Sequence, residues 1–357
     1  MNHSILDSRA SIAQLDSQNM LGSIELLKEQ VADVIKLGRT FKLPLAYKKV
    51  ANAVVLGMGG STLPSHIIQS LFQPTLLVPI EVVNGYHVPG YVGPNTLVVA
   101  SSYSGTTAEP LAALGEAHQR GAKIVTISSG GELAERARKL KVPQLIFSTE
   151  HNPCGSPRMG LGLSLVGQLL IFARAGVIKL AQTELVSILK TVSRFSQQFG
   201  VAEPIANNPA KQLALQTVDK SVWYVASEHL VGNAHVGVNQ MNENAKRFAG
   251  FFSVPELNHH LMEGLKVPSS NSQTLLFVLI ESRAYDARVQ KRYAIGQRVL
   301  EQYRIPYAVY HTQAKKPLAQ VFEVLAPTSF ASFYSALLAG IDPTAIPVVD
   351  FFKQQLN

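Results

Sequence analysis

The sequence contains very little cysteine and comparatively little charge. Its 357 residues include a single cysteine, Cys154, so no disulfide can form within the chain, which favours a reducing compartment such as the cytoplasm. Charged residues make up 16% and hydrophobic residues 46% of the chain. This balance excludes an intrinsically disordered protein and, at this length, allows two domains with substantial cores.

Several targeting and binding signatures are also missing. The N-terminus lacks the basic, apolar and small-residue regions of a signal peptide, and no apolar run reaches the roughly 18 residues that a membrane span needs. The net charge of +8 is dispersed along the chain, without the basic stripe or aromatic platforms of a nucleic-acid-binding protein. We therefore expect a cytoplasmic protein that binds neither membranes nor nucleic acid, and whose positive charge suits an anionic small molecule.

Short apolar runs alternate with helical patterns along most of the chain, which predicts buried strands in parallel sheets. The predicted strands cover residues 52–57, 80–85, 95–102, 122–129 and 143–148, then 221–227, 274–282 and 306–312. We predict an α/β fold with two doubly wound parallel-sheet domains in tandem. The predicted division is a helical segment (1–45), a first sheet domain (46–155), a helical bridge (156–203) and a second sheet domain with C-terminal helices (204–357).

Two loops of the first half follow predicted strands and could hold an anion. One has the sequence GMGGS (57–61) and the other SSYSGTT (101–107). Ligands bind beyond the carboxyl ends of parallel strands, and the unpaired N–H groups of a helix N-terminus favour phosphate. Ordinary helix capping by serine and threonine is the alternative explanation for the second loop.

The glycine-rich loop does not have the features of a nucleotide site. The third glycine of a dinucleotide fingerprint is missing, and Asn84 stands where the next strand would carry an acidic residue. The chain also has no glycine-lysine-serine/threonine sequence of a P-loop. A simple phosphomonoester fits these loops better than a nucleotide does.

The second half contains a group of titratable residues between 239 and 265. Glu243 ends an apolar-periodic segment that starts near Val231, where a partly desolvated carboxylate could move a proton. An ordinary surface helix with a Glu243–Lys246 pair remains the alternative. His259 and His260 are adjacent and lack metal-ligand spacing, so we expect no metal site; a histidine acting as acid or base stays open.

The motifs GMGGS, SYSGTT, SPR, NENAK, PELNH and DPTAIPVVDFFK occur in this order. As a set, they resemble the bifunctional phosphoglucose/phosphomannose isomerases, a branch of the sugar isomerase (SIS) domain superfamily. The resemblance runs from about residue 45 to the C-terminus. It implies two SIS domains, a homodimer with active sites at the subunit interface, and catalysis without a cofactor or metal.

The resemblance also implies a role for each matching residue. Glu243 would move the proton between C1 and C2 of the sugar, and His259 of the partner subunit would open the sugar ring. Arg158 would stabilise the enediolate, and Lys353 would lie near the ring. The substrate phosphate would be held by Gly59, Gly60, Ser61, Ser102, Ser104 and Thr107.

Three positions depart from the family pattern. His260 stands where the family usually has asparagine, and Val236 and Val238 stand where it tends to carry basic residues. The function that the sequence favours is the isomerisation of glucose 6-phosphate and mannose 6-phosphate to fructose 6-phosphate. Two alternatives remain: a non-catalytic phosphosugar-binding protein, and an SIS isomerase that acts on pentose or amino sugars.

Overall fold

The computed structural model describes residues 3–356. The chain divides into two compact units. We call Leu26–Lys190 the N-sheet unit and the described residues of Met1–Glu25 and Thr191–Asn357 the C-sheet unit. Each unit contains one parallel sheet, so the predicted α/β fold with two parallel-sheet domains is confirmed.

The helices and strands are numbered in chain order. The α-helices are α1 Arg9–Leu15, α2 Met20–Glu25, α3 Leu27–Leu37, α4 Leu63–Phe72, α5 Ala108–Gln119, α6 Gly131–Leu140, α7 Leu161–Arg174, α8 Gln182–Phe199, α9 Pro209–Gln216, α10 Val231–Asn244, α11 Leu257–His260, α12 Asn271–Thr274, α13 Ala287–Gln302, α14 Pro317–Leu338 and α15 Pro347–Leu356. The strands are β1 Asn52–Leu56, β2 Ile80–Val83, β3 Thr96–Ser101, β4 Lys123–Ser128, β5 Gln144–Ile146, β6 Ser221–Ser227, β7 Ala249–Val254, β8 Leu275–Glu281 and β9 Tyr307–His311.

The sheet of the N-sheet unit has the strand order β2-β1-β3-β4-β5, and every pair is parallel. All six residues of β3 are buried, as a continuous apolar strand covered on both faces should be. Val98 and Ile124 pack with α5 and α6 on one face, while Ile127 on the other face meets Gly167 of α7. The winding direction of the sheet reverses between β1 and β3.

The sheet of the C-sheet unit has the order β7-β6-β8-β9, again with all pairs parallel. Its edge strand β7 is a strand that the sequence pattern did not predict. The four central residues of β7 are only half-buried, so the segment lacks the continuous apolar run of an interior strand. Trp223 of β6 lies so close to Gly250 that a Cβ there would approach it to 2.4 Å.

Helix α14 is the longest helix of the C-sheet unit, and its length and composition would suffice to cross a membrane. However, 94% of its most apolar 18-residue window is buried in the structure. It packs against α9 and α10, and Pro327 lies within it. Its apolar composition is therefore that of a core helix.

All eight predicted strands are present; β6 has the predicted bounds, and the other seven are shorter than predicted by one to three residues. The predicted helical segment and helical bridge do contain helices, including α2, α3, α7 and α8. The two compact units divide the chain after residues 25 and 190, rather than at the predicted positions 45, 155 and 203. The four-part division stays a proposal about how the chain is organised.

Candidate functional site

The two predicted anion-binding loops lie side by side at the carboxyl edge of the N-sheet unit. The glycine-rich loop follows β1 and the hydroxyl-rich loop follows β3, and these two strands are hydrogen-bonded neighbours. The winding direction reverses between them, and this is where open parallel sheets bind ligands. Sequence reasoning placed both loops at strand ends, but only the strand order places them together.

The glycine-rich loop needs glycine at two positions, Gly59 for its backbone conformation and Gly60 for its close contact with the segment that carries Arg158. Gly59 has a φ of +47°, a left-handed conformation that favours glycine. A Cβ on Gly60 would lie 2.8 Å from the backbone N of Arg158 and 2.9 Å from the carbonyl carbon of Pro157. The GMGGS and SPR motifs are therefore in direct backbone contact. Asn84, which replaces the acidic residue of a nucleotide site, donates to the Gly57 carbonyl at 2.7 Å.

Buried hydroxyls connect the two loops. Ser61 Oγ accepts a hydrogen bond from the Tyr103 N–H at 2.9 Å, and Ser101 Oγ donates to the Ser61 carbonyl at 2.9 Å. Ser102 Oγ accepts from the Gly105 N–H at 3.1 Å and lies 2.9 Å from Thr107 Oγ1. Because Ser61 and Ser102 are 7% and 1% exposed, they give the loops their shape.

The exposed part of the hydroxyl-rich loop is formed by Ser104 and Thr106. Both side chains are exposed, and their hydroxyl oxygens lie 2.9 Å apart. Helix α5 begins directly after the loop, and its N-cap residue Thr107 makes no side-chain capping bond. Its first N–H groups are thus left to a ligand. Thr106 is a candidate that sequence reasoning missed, although it stands within the SYSGTT motif.

A second glycine pair, which sequence reasoning also missed, supports this loop from behind. A Cβ on Gly105 would lie 2.0 Å from the Gly130 carbonyl oxygen, and one on Gly131 would lie 2.4 Å from the Ser104 carbonyl oxygen. Both glycines have positive φ, +76° and +63°. The Leu133 N–H donates to the Gly105 carbonyl at 2.8 Å. The loop after β4 therefore fixes the path of the loop after β3.

Arg158 is 2% exposed and lies in a short 3₁₀ helix, Pro157–Met159. Asn152 holds this segment to the hydroxyl-rich loop. Its Nδ2 donates to Tyr103 Oη at 2.7 Å and to the Ser156 carbonyl at 2.9 Å. Burial raises the pKa of Tyr103 to about 12, so its hydroxyl keeps its proton. The structure thus brings Arg158, Gly60 and Ser61 into one part of the N-sheet unit.

Glu243 lies in the last turn of α10, in the C-sheet unit, and is half-buried. The neighbouring Asn242 attaches this end of the helix to the start of β7: its Nδ2 donates to the Ala249 carbonyl at 3.1 Å and its Oδ1 accepts from the Ala249 N–H at 3.2 Å. Asn244 is fully buried and donates to Ser332 Oγ at 3.0 Å. Glu243 is therefore held at the amino edge of the second sheet.

His259 lies at the opposite edge of the same sheet. It is exposed, in the short helix α11 that follows the carboxyl end of β7. β7 has six residues, which corresponds to roughly 20 Å at about 3.3 Å per residue. Within one copy of the chain, Glu243 and His259 are thus too far apart to contact the same sugar.

The positions that depart from the family pattern lie on the two helices that carry the proposed catalytic residues of the C-sheet unit, α10 and α11. Val236 is fully buried in α10, and Val238 is half-buried. His260 is exposed, and its Nε2 lies 3.3 Å from Glu256 Oε1. None of the three is part of the loops described above.

Lys353 lies on the C-terminal helix α15, none of whose described residues is buried. Val348, Phe351 and Phe352 of this helix are 79%, 63% and 63% exposed. Such apolar exposure on one helix marks an interaction surface. Within residues 3–356, no three His, Cys, Asp or Glu side chains gather as a metal site would require.

The second sheet differs from the first at the corresponding helix N-terminus. Helix α13 follows β8, and its N-cap residue Asp286 accepts a hydrogen bond from the Arg288 N–H at 2.8 Å. The Arg288 guanidinium, which also donates to this carboxylate, lowers the pKa of Asp286 to about 2. The chain's own carboxylate occupies this helix end, whereas no side chain caps the corresponding N-terminus of α5.

Residues 206–356 match the family model described as the bacterial phospho-glucose isomerase C-terminal SIS domain. A bifunctional phosphoglucose/phosphomannose isomerase from Caldicellulosiruptor bescii is 28% identical, over 94% of this chain and 98% of its own length. A protein of the same name from Thermoplasma acidophilum is 26% identical, over 86% of this chain and 90% of its own. Over most of its length, the chain is therefore similar to bifunctional phosphoglucose/phosphomannose isomerases.

The fold of the chain also matches solved structures. A hypothetical protein from Thermus thermophilus superposes with a TM-score of 0.73 at 18% identity, over 99% of this chain and 93% of that one. At this identity the likeness concerns the fold alone. The two-sheet architecture is therefore shared with proteins whose sequence identity is too low for their site residues to be compared with those of this chain.

Proposed function

We propose that this protein is an aldose–ketose isomerase that interconverts glucose 6-phosphate and mannose 6-phosphate with fructose 6-phosphate. The observation that carries this proposal is the hydroxyl-rich loop at the winding reversal of the N-sheet unit. There, two exposed hydroxyls precede a helix N-terminus that no side chain caps. The names of the curated relatives supply the reaction class.

The phosphate of the substrate is proposed to bind to Ser104, Thr106 and the first N–H groups of α5. Backbone N–H groups at a helix N-terminus suit a phosphate dianion because they are unpaired and carry partial positive charge. The full set of proposed phosphate-site residues is Gly59, Gly60, Ser61, Ser102, Ser104 and Thr107, and we call their two loops the phosphate cradle. Apart from Ser104, these residues shape the cradle, since Ser61 and Ser102 are buried and Gly60 lies against the Arg158 segment.

Isomerisation requires three further groups, and the family positions supply each. A base must take a proton from C2 and return it to C1, and Glu243 is the proposed base. A cation must lie beside the enediolate oxygen, a role for Arg158. An acid must protonate the ring oxygen when the ring opens, a role for His259, and Lys353 is proposed to contact the sugar. These groups perform the reaction without a metal or an organic cofactor.

We propose that His259 acts in the active site of a second copy of the chain. The support is geometric: Glu243 and His259 are held at opposite edges of one sheet, across the six-residue strand β7. A sugar in contact with Glu243 can therefore meet only the partner's His259. The exposed apolar side chains of α15 are suited to a subunit contact, and a cytoplasmic homodimer is the proposed working form.

The decisive experiment is a coupled assay of fructose 6-phosphate formation from glucose 6-phosphate and from mannose 6-phosphate, in the presence and absence of EDTA. We expect turnover of both substrates and no effect of the chelator. A protein that bound sugar phosphates without turning either over would be a phosphosugar-binding protein instead. Loss of activity with EDTA would contradict the metal-free mechanism, and turnover of only pentose or amino sugars would contradict the substrate assignment.

A further inference from the structure

The C-sheet unit contains a cavity of about 820 Å³ that none of the proposed isomerase residues lines. It lies where β8 and β9 end, and we call it the C-sheet cavity. Its size is within the range of about 300–1,000 Å³ that small-molecule sites occupy. Its polar and charged lining includes Glu281, Arg283, His311, Thr312 and Lys315.

The position of the C-sheet cavity in the fold is that of a ligand site. Its walls are formed by residues 281–285, directly after β8, and 311–315, directly after β9. These segments form the carboxyl edge of a parallel sheet, which is the edge where such sheets bind ligands. Glu243 is held at the amino edge of the same sheet, so the C-sheet cavity is separate from the proposed base.

The charges around the cavity fit an anion. Arg283 and Lys315 are both exposed at the cavity, and within residues 3–356 neither forms an ion pair with a carboxylate. The nearby Arg288 is different because it is engaged by Asp286 at 2.9 Å. Two unpaired cations on neighbouring segments can hold one phosphate or carboxylate group.

The inner wall of the cavity fits hydroxyl groups. Glu281 is half-buried beside His311, whose Nδ1 lies 3.4 Å from Glu281 Oε2, and burial raises the pKa of Glu281. Thr312 Oγ1 is buried and has no hydrogen-bond partner among the described residues. A carboxylate beside an unpaired hydroxyl can accept from and donate to the hydroxyls of a polyol.

We propose that the C-sheet cavity is a second small-molecule site, specific for a polyhydroxylated anion of the sugar phosphate or sugar acid class. The anionic group contacts Arg283 and Lys315, and the hydroxyl groups contact Glu281 and Thr312. A purely anionic ligand without hydroxyl groups would bring a second negative charge towards Glu281 and would leave the Thr312 hydroxyl unpaired. A neutral sugar would leave both cations without a partner.

Isothermal titration calorimetry of the full chain with 6-phosphogluconate tests this proposal. This probe carries two anionic groups and several hydroxyls, and it has no carbonyl that an isomerase could act on. We expect two binding sites per chain in the wild-type protein. The double variant Arg283→Ala/Lys315→Ala should weaken one of them by roughly tenfold or more, since a hydrogen bond to a charged group is lost with each cation.

Matched variants distinguish binding in the C-sheet cavity from binding at the hydroxyl-rich loop. Ser104→Ala/Thr106→Ala should weaken binding only at the hydroxyl-rich loop. Ala284→Trp should obstruct the C-sheet cavity without removing a charge. Arg298→Ala is the control for the loss of a positive charge. It removes an exposed arginine of helix α13 that does not line the cavity, and it should change binding at neither site.

The outcomes are distinguishable. The proposal is overturned if the wild-type chain binds no 6-phosphogluconate. It is also overturned if Arg283→Ala/Lys315→Ala and Ala284→Trp both bind the probe at as many sites and as tightly as the wild type. A single site that is lost in these two variants and kept in Ser104→Ala/Thr106→Ala would support the C-sheet cavity. That same result would count against phosphate binding at α5 and hence against the proposed isomerase site.

Discussion

Asn152 donates a hydrogen bond to the Tyr103 hydroxyl across 2.7 Å, and both residues are buried. This bond joins the hydroxyl-rich loop to the segment that carries Arg158. Tyr103 also lies against Gly160, where a Cβ would approach the ring to 2.4 Å. The phosphate cradle and the proposed enediolate-stabilising arginine thus share one support.

We expect Tyr103→Phe to lower stability by about 1 kcal/mol, because a buried hydrogen bond is lost while the ring still fills its space. The Arg158 segment should shift, so kcat should fall while KM for fructose 6-phosphate changes little. Thermal unfolding and steady-state kinetics measure the two effects. A variant with unchanged stability and kcat would show that this bond does not position Arg158.

Ser102→Ala and Ser104→Ala should affect different properties, stability and KM respectively, although the two serines lie in one loop. Ser104 is exposed, so its loss should raise KM and leave stability unchanged, since phosphate binding is common to the ground and transition states. Ser102 is buried and accepts from the Gly105 N–H, so its loss should cost about 1–2 kcal/mol of stability. A loss of kcat without a change of KM in Ser104→Ala would contradict the cradle.

Gly60→Ala should strongly reduce activity because the new Cβ would lie within 3.0 Å of backbone atoms of Pro157 and Arg158. A displacement of about 1 Å in a catalytic group can cost on the order of 10²-fold in rate, and kcat/KM reports it. Gly115→Ala is the matched control, because no atom lies within 4 Å of its Cβ. As a glycine within helix α5, it should gain up to about 1 kcal/mol of stability without loss of activity.

Glu243→Gln and His259→Asn should each be nearly inactive alone and should recover activity when mixed. Loss of the proposed base should lower kcat by about 10²–10⁴-fold while fructose 6-phosphate still binds. In a random mixture of homodimers, half of the dimers are mixed and each has one intact site, so about a quarter of wild-type activity should return.

The mixing is done by unfolding and refolding the two variants together, and each variant refolded alone is the reference. Glu135→Gln, which alters an exposed carboxylate on α6, is the control for the charge change and should keep full activity. If the refolded mixture is no more active than its components, Glu243 and His259 do not meet across a dimer interface.

Tyr224→Phe should leave the protein as stable or raise its stability by about 1 kcal/mol. The Tyr224 side chain is fully buried, and its hydroxyl finds no partner among the described residues. An unpaired buried hydroxyl costs free energy that phenylalanine avoids, and the ring would still pack against Gly237. A melting temperature several degrees lower than wild type would show that the hydroxyl is hydrogen-bonded, for example to a water in the adjacent cavity of about 150 Å³.

The buried strands and the loops that follow them could be predicted from the sequence because both are local patterns. Continuous apolar runs such as Val98 and its neighbours mark strands that are covered on both faces, and glycines and hydroxyls mark the turns after them. Strand β7 could not be predicted in this way, since an edge strand with half-buried side chains lacks the apolar run. Thr106 and the Gly105–Gly131 contact were missed because exposure and close approach depend on neighbouring loops.

The sequence by itself determined the fold class, the two candidate loops and the motif positions Glu243 and His259. Only the tertiary structure decided that the two loops adjoin, that the Ser61 and Ser102 side chains are buried, and that Glu243 and His259 lie at opposite edges of one sheet. The physical reason is that burial periodicity is encoded residue by residue. Strand order and helix direction arise from pairing between distant segments, and these decide which side chains can reach one substrate.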